Sequence, residues 1–171
     1  MRKQTKLLAV ITTAATLAMA SAITSLANTG WVNVQKKWYY YDEAGNSVRN
    51  QWVQDGEDKF WLKDNGEMAI EMWVDDNGTY YWVNAQGAMV TDTWVQRAKS
   101  WYYVGEDGKM LVNTFFNDDG ATYYATDTGA IAIGWYQVDG IWHYFDSRSG
   151  RMIKGATIDG YYLDGAGNYI G

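Results

Sequence analysis

Aromatic side chains are the residues of this sequence best suited to bind a ligand, because they recur at a fixed interval. Six large aromatic residues stand 21 or 20 residues apart: Trp31, Trp52, Trp73, Trp94, Phe115 and Trp135. With each of these at position 0 of a repeat, position +7 is occupied by Trp38, Lys59, Tyr80, Trp101, Thr122 and Trp142. Position +9 is occupied by Tyr40, Trp61, Trp82, Tyr103, Tyr124 and Tyr144. The face of an aromatic ring attracts a cation, and so the spacing predicts a series of aromatic binding surfaces.

The elements that position these rings are predicted to be β-hairpins. Turn-forming dipeptides lie between positions 0 and +7: Asp55-Gly56, Asn77-Gly78, Asp119-Gly120 and Asp139-Gly140, with Asp159-Gly160 in a shortened last repeat. Asn-Gly and Asp-Gly suit tight hairpin turns in which both central residues have positive φ. Alternate side chains of a strand share a face. We therefore expect positions +7 and +9 to face together and position +8 to face the other way.

A glycine-containing loop follows each predicted hairpin. Position +14 is glycine in five repeats, and Gly150 follows one residue late in the sixth. Four of the residues two positions after these glycines are methionines, which we interpret as packing residues: Met68, Met89, Met110 and Met152. A single hairpin is marginal in water, whereas a row of hairpins can bury its faces between neighbours. The sequence predicts an all-β fold, a β-solenoid of stacked β-hairpins.

The N-terminal segment differs from the rest of the chain. Residues 1–27 contain a basic start, an apolar run from Leu7 to Ala20, and small residues at the end. This build is typical of a secretory signal peptide, and the apolar run is short for a membrane span; an uncleaved anchor is the alternative. We predict a signal peptide over residues 1–27 and six to seven repeats of 20–21 residues over residues 28–171.

Charge and cysteine content restrict the partners. The chain has a formal net charge of -6, which becomes -9 without Arg2, Lys3 and Lys6. An acidic chain does not favour nucleic acid or an anionic membrane surface. We therefore expect no nucleic acid as partner and no membrane insertion after signal cleavage. The sequence has no cysteine, so the exported chain must fold without disulfides.

The repeats resemble the choline-binding repeats of Gram-positive surface proteins, also called cell-wall-binding repeats. The resemblance is carried by Gly134-Trp135, by the run Trp142 to Phe145, and by Gly150-Arg151-Met152. It covers about residues 30 to 171, and related repeats occur in glucan-binding domains and in clostridial toxin tails. It implies hairpins stacked in a left-handed superhelix, with ligands held between successive repeats.

The resemblance also implies the residues of each ligand cage. The rings at 0 and +7 of one repeat would combine with the ring at +9 of the next. The four cages implied in this way are Trp94, Trp101 and Tyr124; Trp135, Trp142 and Tyr162; Trp31, Trp38 and Trp61; and Trp73, Tyr80 and Tyr103. Two repeats depart from the pattern, because Lys59 would repel a cation and Thr122 has no π face. We do not expect a cation site in either.

Other residues give weak signals for chemistry. His143 is the only histidine, and no nucleophile or orienting partner is fixed relative to it, as a catalytic base requires. The acidic clusters such as Asp75-Asp76 lie at turns and lack the alternating spacing of a calcium loop. Paired carboxylates for glycoside hydrolysis stay open, but the repeats leave no room for a catalytic domain. We expect no cofactor, no metal and no enzyme.

The first hypothesis is a secreted, non-covalently attached module that docks on choline-bearing teichoic acid of a cell wall. The second is a protein that binds glucan or another wall polysaccharide by stacking sugar rings on the same aromatics. A sugar also needs polar partners for its hydroxyls, and the pocket positions offer mostly hydrocarbon and indole, which favours choline. A wall hydrolase and a ligand-free structural protein are the remaining alternatives. In the last case the aromatics would only form the core, a role that we expect in any case for position +8.

Overall fold

The structure is a computed structural model that describes residues 29–171, so the predicted signal peptide lies outside the described residues. The chain divides into two compact units, unit 1 ending at Ala69 and unit 2 running from Ile70 to Gly171. Between residues 29 and 171 the secondary structure consists of β-strands paired into two-stranded antiparallel hairpins. The predicted all-β fold of repeated hairpins is confirmed.

Unit 1 contains two hairpins. Its strands are β1 (Gly30–Val34), β2 (Lys37–Tyr41), β3 (Gln51–Asp55) and β4 (Asp58–Leu62). Strand β1 pairs with β2 and β3 with β4, which places position 0 directly opposite position +9, as in the pair Trp31 and Tyr40.

Unit 2 contains five hairpins built in the same way. Its strands are β5 (Met72–Asp76), β6 (Thr79–Val83), β7 (Thr93–Arg97), β8 (Ser100–Val104), β9 (Thr114–Asp118), β10 (Ala121–Ala125), β11 (Gly134–Val138), β12 (Ile141–Phe145), β13 (Ala156–Ile158) and β14 (Tyr161–Leu163). The last hairpin is shorter by two residues in each strand. Its register pairs Thr157 with Tyr162 as the preceding hairpin pairs Trp135 with Tyr144. Tyr162 is therefore the +9 residue of the last repeat, and Tyr161 is its +8 residue.

The hairpin turns follow the sequence signal in four repeats. Asn77-Gly78, Asp119-Gly120, Asp139-Gly140 and Asp159-Gly160 all have positive φ at both residues, as a type I′ turn requires. The β3–β4 turn differs, because Asp55 pairs with Asp58 and the loop residues are Gly56 and Glu57. Gly56 has a φ of 61°, which corresponds to glycine at the first central position of a type II′ turn.

Two turns form without glycine. In the first hairpin, Gln35 and Lys36 have φ values of 50° and 66°, and in the β7–β8 turn Ala98 has a φ of 51°. Positive φ is unfavourable for residues with a Cβ, so the hydrogen-bonded strands on either side impose these conformations. Residue preference alone does not reveal these two turns.

Backbone hydrogen bonds from the loops join successive hairpins within each unit. In unit 1 the N–H of Met68 donates to the carbonyl of Trp38, and in unit 2 the N–H of Met110 donates to the carbonyl of Tyr80, both at 2.8 Å. The following residue bonds back to its own hairpin, as Leu111 does to Tyr103 at 2.9 Å. Within each unit, such loops are thereby fixed against position +7 of the preceding hairpin.

Glycine at the loop makes room for the residue that is fixed in this way. A Cβ at Gly129, which has a φ of 80°, would lie 2.5 Å from the Cε atom of Met110. The same relation holds between Gly108 and Met89, at 2.8 Å. Gly108 and Gly129 therefore serve both a left-handed backbone and close packing against the methionine of the preceding repeat.

The most deeply buried side chains are mainly aliphatic. Position +10, at the end of each second strand, is fully buried in Leu62 of unit 1 and in Val83, Val104, Ala125, Phe145 and Leu163 of unit 2. Valines at position +1, such as Val74 and Val95, pack beside them. Aliphatic residues thus occupy most of the fully buried positions, and the aromatics Trp82, Tyr103, Tyr123 and Tyr124 are buried less completely.

Candidate functional site

The rings at positions 0 and +9 pack together within one hairpin. Trp73 and Trp82 lie 5.2 Å apart between ring centroids, and Trp94 and Tyr103 lie 5.1 Å apart. In unit 1 the same pairing joins Trp52 to Trp61 at 5.2 Å. The +9 rings are covered as a result: Trp82, Tyr103 and Tyr124 are buried.

The ring that reaches position 0 from the next repeat is at position +8. Four pairs show this contact, with centroid distances of 4.8 to 5.7 Å: Trp31 and Phe60, Trp73 and Tyr102, Trp94 and Tyr123, and Trp135 and Tyr161. The sequence analysis assigned this place to +9, that is, to Trp61, Tyr103, Tyr124 and Tyr162. In the structure +8 points to the strand face that meets the preceding hairpin, whereas Trp61, Tyr103 and Tyr124 pack on position 0 of their own hairpin.

The Trp94 cage shows the arrangement at its simplest. Trp94 and Trp101 meet at 84° with centroids 6.3 Å apart, and Tyr123 forms the third wall. The Nε1 atom of Trp94 donates a hydrogen bond of 2.8 Å to Asp118 Oδ2. This bond fixes the indole and places a carboxylate at the edge of the cage.

Unit 1 contains the equivalent cage around Trp31. Trp31 and Trp38 meet at 88° with centroids 6.5 Å apart, and Phe60 closes the third side. The indole Nε1 of Trp31 donates to Asp55 Oδ2 at 3.0 Å. Met68 is fixed beside Trp38 by its backbone hydrogen bond. Two separate units therefore repeat one geometry.

The last cage has four aromatic walls. A cavity of about 220 Å³ is lined by Trp135, Trp142, Tyr161 and Tyr169. The N–H of Tyr169 donates to the carbonyl of Trp142 at 2.8 Å. Tyr169 thus takes the place that methionine holds in other repeats, which sequence reasoning missed because the repeat is shortened.

The Trp73 cage opens into a larger cavity of about 450 Å³. Besides Trp73, its lining comprises Tyr80, Tyr102, Met110, Gly78, Val112, Asp127 and Thr128. Met110 therefore lines this cavity as well as packing against Gly129. At one end the cavity reaches the exposed carboxylate of Asp127.

Three of the +7 rings are exposed, unlike the buried +9 rings of Trp82, Tyr103 and Tyr124; Tyr162, the +9 ring of the last repeat, is exposed as well. Tyr80, Trp101 and Trp142 are 41%, 45% and 43% exposed, respectively. Such large rings are enriched in cores when they serve only packing. Their exposure beside a fixed position 0 ring leaves π faces available to a ligand.

The buried tyrosines act as neutral structural groups. Burial, together with the nearby carboxylate of Asp92, raises the pKa of the Tyr103 phenol, which donates a hydrogen bond of 2.7 Å to Asp92 Oδ1. Burial also raises the pKa of Tyr124. Above Trp82 the guanidinium carbon of Arg97 lies 4.8 Å from the ring centroid. Trp82, Tyr103 and Tyr124 thus already have surroundings within the fold.

The two divergent positions have different surroundings. Lys59 lies on β4 opposite Gln54. Thr122 replaces the +7 ring beside Phe115, and its hydroxyl donates a hydrogen bond to Asn117 Oδ1 at 2.8 Å. At Phe115 the +8 ring of the next hairpin is His143, with centroids 5.3 Å apart.

His143 has a structural environment. It is buried, and its Nδ1 atom lies 2.9 Å from the carbonyl oxygen of Gly167. Within residues 29–171 no group of three or more histidine, cysteine, aspartate or glutamate residues could hold a metal ion. No helix in this part of the chain is long and apolar enough to cross a membrane.

Two family models match the repeats. The model described as "Choline-binding repeat" matches residues 48–88 and 77–109, and the one described as "Putative cell wall binding repeat" matches residues 29–47, 113–131 and 133–152. Together they cover more than half of the chain. A comparison with curated protein sequences gives no significant match.

Solved structures from Streptococcus pneumoniae share the fold. CbpJ is 30% identical with a TM-score of 0.70, and the match covers 84% of this chain and 48% of CbpJ. Choline binding protein F is 28% identical with a TM-score of 0.69, over 84% of this chain and 48% of that protein. CbpF in complex with ipratropium is 27% identical with a TM-score of 0.68, over 84% of this chain and 49% of that one. The chain spans about half the length of these relatives. It belongs to the family of choline-binding, or cell-wall-binding, repeat proteins.

Proposed function

We propose that this chain is a non-catalytic module that docks on choline-bearing teichoic acid of a Gram-positive-type cell wall. The observation that carries the proposal is the Trp94 cage, in which two nearly perpendicular indoles meet and the ring of Tyr123 packs against Trp94. Equivalent cages around Trp31, Trp73 and Trp135 would bind the same group.

The chemistry of the cage favours a quaternary ammonium ligand. A trimethylammonium group has no N–H to donate, so aromatic faces are its main source of attraction. Each face contributes about 0.5 to 2 kcal/mol. Three faces, less the cost of association, leave a site of about -4 kcal/mol, which corresponds to millimolar affinity. Asp118 and Asp55 add negative charge beside two of the cages.

Repetition compensates for the weakness of one cage. A polymer that carries many choline groups could occupy several cages at once. Linked sites of this kind gain about a hundred- to ten-thousand-fold in avidity. With several cages, each choline group would be held weakly while the whole protein stays firmly attached to the polymer.

The same attachment would determine where the protein is located. With the predicted signal peptide the chain would be secreted and then held at the cell surface by its cages, without a covalent link. The polymer rather than a membrane would be its partner, and no cofactor or catalytic group takes part.

A titration of the protein lacking residues 1–27 tests this function. Tryptophan fluorescence is followed while choline chloride is added, with sodium chloride and an isomalto-oligosaccharide in parallel. We expect saturation by choline in the millimolar range and no saturable response to sodium chloride. Failure of choline to give a saturable response would reject the proposal.

Glucan binding is the second candidate, because the Trp73 cavity reaches Asp127 and Thr128. These side chains could serve the hydroxyls of a sugar stacked on Trp73. A fluorescence response to the isomalto-oligosaccharide without a response to choline would favour this candidate.

A further inference from the structure

The groove around Phe115 differs from the cages on either side of it along the chain. We propose that this groove binds a hydroxylated sugar ring rather than a quaternary ammonium group. The chain would then bind two chemical groups of one wall polymer. In sequence, the sugar subsite would lie between the Trp94 cage and the Trp135 cage.

The groove keeps the backbone of a cage. The N–H of Met152 donates to the carbonyl of Thr122 at 2.8 Å, as Met110 does to Tyr80. Phe115 packs on its own +9 ring, Tyr124, at 4.8 Å. The scaffold is therefore the same, and only the side chains around it have changed.

Two side chains of the groove differ from those of the cages, and these two side chains contact each other. The aromatic ring at +7 is replaced by Thr122, and the residue two positions after the methionine is Lys154. In the Trp73 cage the residue at the latter position is Val112, which lines the cavity. The Nζ atom of Lys154 donates to Thr122 Oγ1 at 3.0 Å. A π face and an apolar wall are thus exchanged together for a hydroxyl and an ammonium.

This exchange disfavours a cationic ligand. Lys154 places a positive charge where a trimethylammonium group would approach, and like charges repel. Thr122 offers no ring in compensation. An anionic ligand is also less favoured, because the chain carries a formal net charge of -6. A neutral polar ligand fits both conditions.

The remaining groups are those that a sugar requires. An ammonium has three donors, an amide has two donors and an acceptor, and a hydroxyl has one donor and two acceptor lone pairs. The bonds from Lys154 to Thr122 and from Thr122 to Asn117 use only part of this capacity. Lys154 and Asn117 are both exposed, so sugar hydroxyls can reach them.

Phe115 supplies the apolar platform. Its side chain is 40% exposed, and the ring is held edge-on by His143 at an interplanar angle of 73°. His143 is itself buried and lies against the Gly167 carbonyl. A fixed, half-exposed ring beside several hydrogen-bonding groups combines the apolar surface and the placed polar groups of a small-molecule site.

An NMR titration of the full repeat region locates the ligand. The ¹H–¹⁵N spectrum is recorded with isomaltotriose and, separately, with triacetylchitotriose, each in the presence of excess choline. We expect at least one sugar to shift the amide signals of Phe115, Thr122 and Lys154 saturably. Shifts confined to the tryptophan cages, or no saturable shift with either sugar, would overturn the proposal.

Two variants test the role of the side chains. Lys154→Ala should weaken sugar binding about three- to tenfold, the value of one hydrogen bond, and should leave the number of bound cholines unchanged. Lys99→Ala, which removes another exposed lysine of unit 2, is the matched control and should change neither. Equal sugar affinity in the two variants would contradict the proposal.

A double variant should convert the groove into a cage. Thr122→Trp with Lys154→Val restores a ring at +7 and an apolar wall, and should abolish the sugar shifts and add one choline site. The choline count of the unaltered protein is read in the same experiment, so failure of the cages and failure of the sugar site are distinguishable. A double variant that is folded and keeps its sugar response would also overturn the proposal.

Discussion

The Trp94 cage and the Phe115 groove are adjacent repeats of unit 2 with the same backbone and different chemistry. The loop residue after the next hairpin bonds to +7 in both, from Ile131 to Trp101 at 2.9 Å and from Met152 to Thr122 at 2.8 Å. The indole of Trp94 lies between aromatic walls beside a carboxylate, whereas Phe115 lies beside a hydroxyl and an ammonium.

This difference separates what folds the repeat from what selects its ligand. A two-stranded hairpin, a fully buried aliphatic residue at +10 (Val104 and Ala125) and the loop hydrogen bonds are common to both repeats. The ligand depends on +7, on +8 of the next hairpin, and on the loop residues beside them. Substitutions at these positions can therefore change ligand class without changing the fold.

The largest effect is expected for Trp94→Ala. Trp94 contacts four rings, those of Trp101, Tyr103, Phe116 and Tyr123. Its removal should cost about 3 kcal/mol of stability, as for a large aromatic truncated to alanine, and should abolish one choline site. Urea unfolding and equilibrium dialysis measure the two effects. Unaltered stability would show that the Trp94 ring is not part of the packing.

Trp101→Ala should separate binding from folding. The ring is 45% exposed, so its loss should change the free energy of unfolding by less than about 1 kcal/mol. The number of bound cholines should fall by one, which equilibrium dialysis detects. Global unfolding of this variant would instead indicate that +7 belongs to the core.

A matched pair of variants compares +8 with +9. Tyr123→Leu removes the third wall of the Trp94 cage, and Tyr124→Leu removes an equally buried ring that packs on Phe115. Loss of one π face should weaken choline binding at the Trp94 cage about twofold to thirtyfold in the first variant only. The Trp94 indole signal in NMR titrations reports this affinity. A larger effect from Tyr124→Leu would reverse our assignment.

The smallest effect concerns the ion pairs of Glu67 in unit 1. Glu67 bonds to Lys37 and Lys63, and these bonds lower its pKa to about 2. Because the pKa of Glu67 is lowered in the folded state, its ionised carboxylate stabilises the fold at pH values above 4.5, the unfolded pKa. This stabilisation is lost as the pH falls from 4.5 towards 2. We expect Glu67→Gln to reduce the acid sensitivity of unit 1 slightly, as measured by circular dichroism against pH, with Glu43→Gln as control. Equal acid sensitivity of Glu67→Gln and the unaltered protein would contradict this.

The sequence was sufficient to predict the hairpins, four type I′ turns and the positions of the rings. Period and turn chemistry are local properties, and Asn77-Gly78 carries its turn geometry in its own two residues. The turn at Gln35-Lys36 could not be predicted in this way, because flanking strand pairs impose its positive φ.

The cage walls needed tertiary information. A column of aromatics at +8 was visible, including Tyr102 and Tyr123, but strand alternation says only that +8 faces away from +7 and +9. It does not say which hairpin that face meets. Tyr169 is a related case: it stands two residues after Gly167, as the methionines follow their glycines, but its contacts with Trp135 and Tyr161 are seen only in the structure.

The most direct test of the account is a nuclear Overhauser experiment between choline methyl protons and the aromatic protons of isotopically labelled protein. We predict cross-peaks from the methyl protons to Trp94, Trp101 and Tyr123, and none to Thr122 of the neighbouring groove. Cross-peaks to Tyr124 without Tyr123, or the absence of any cross-peak to Trp94 and Trp101 at saturating choline, would contradict the account.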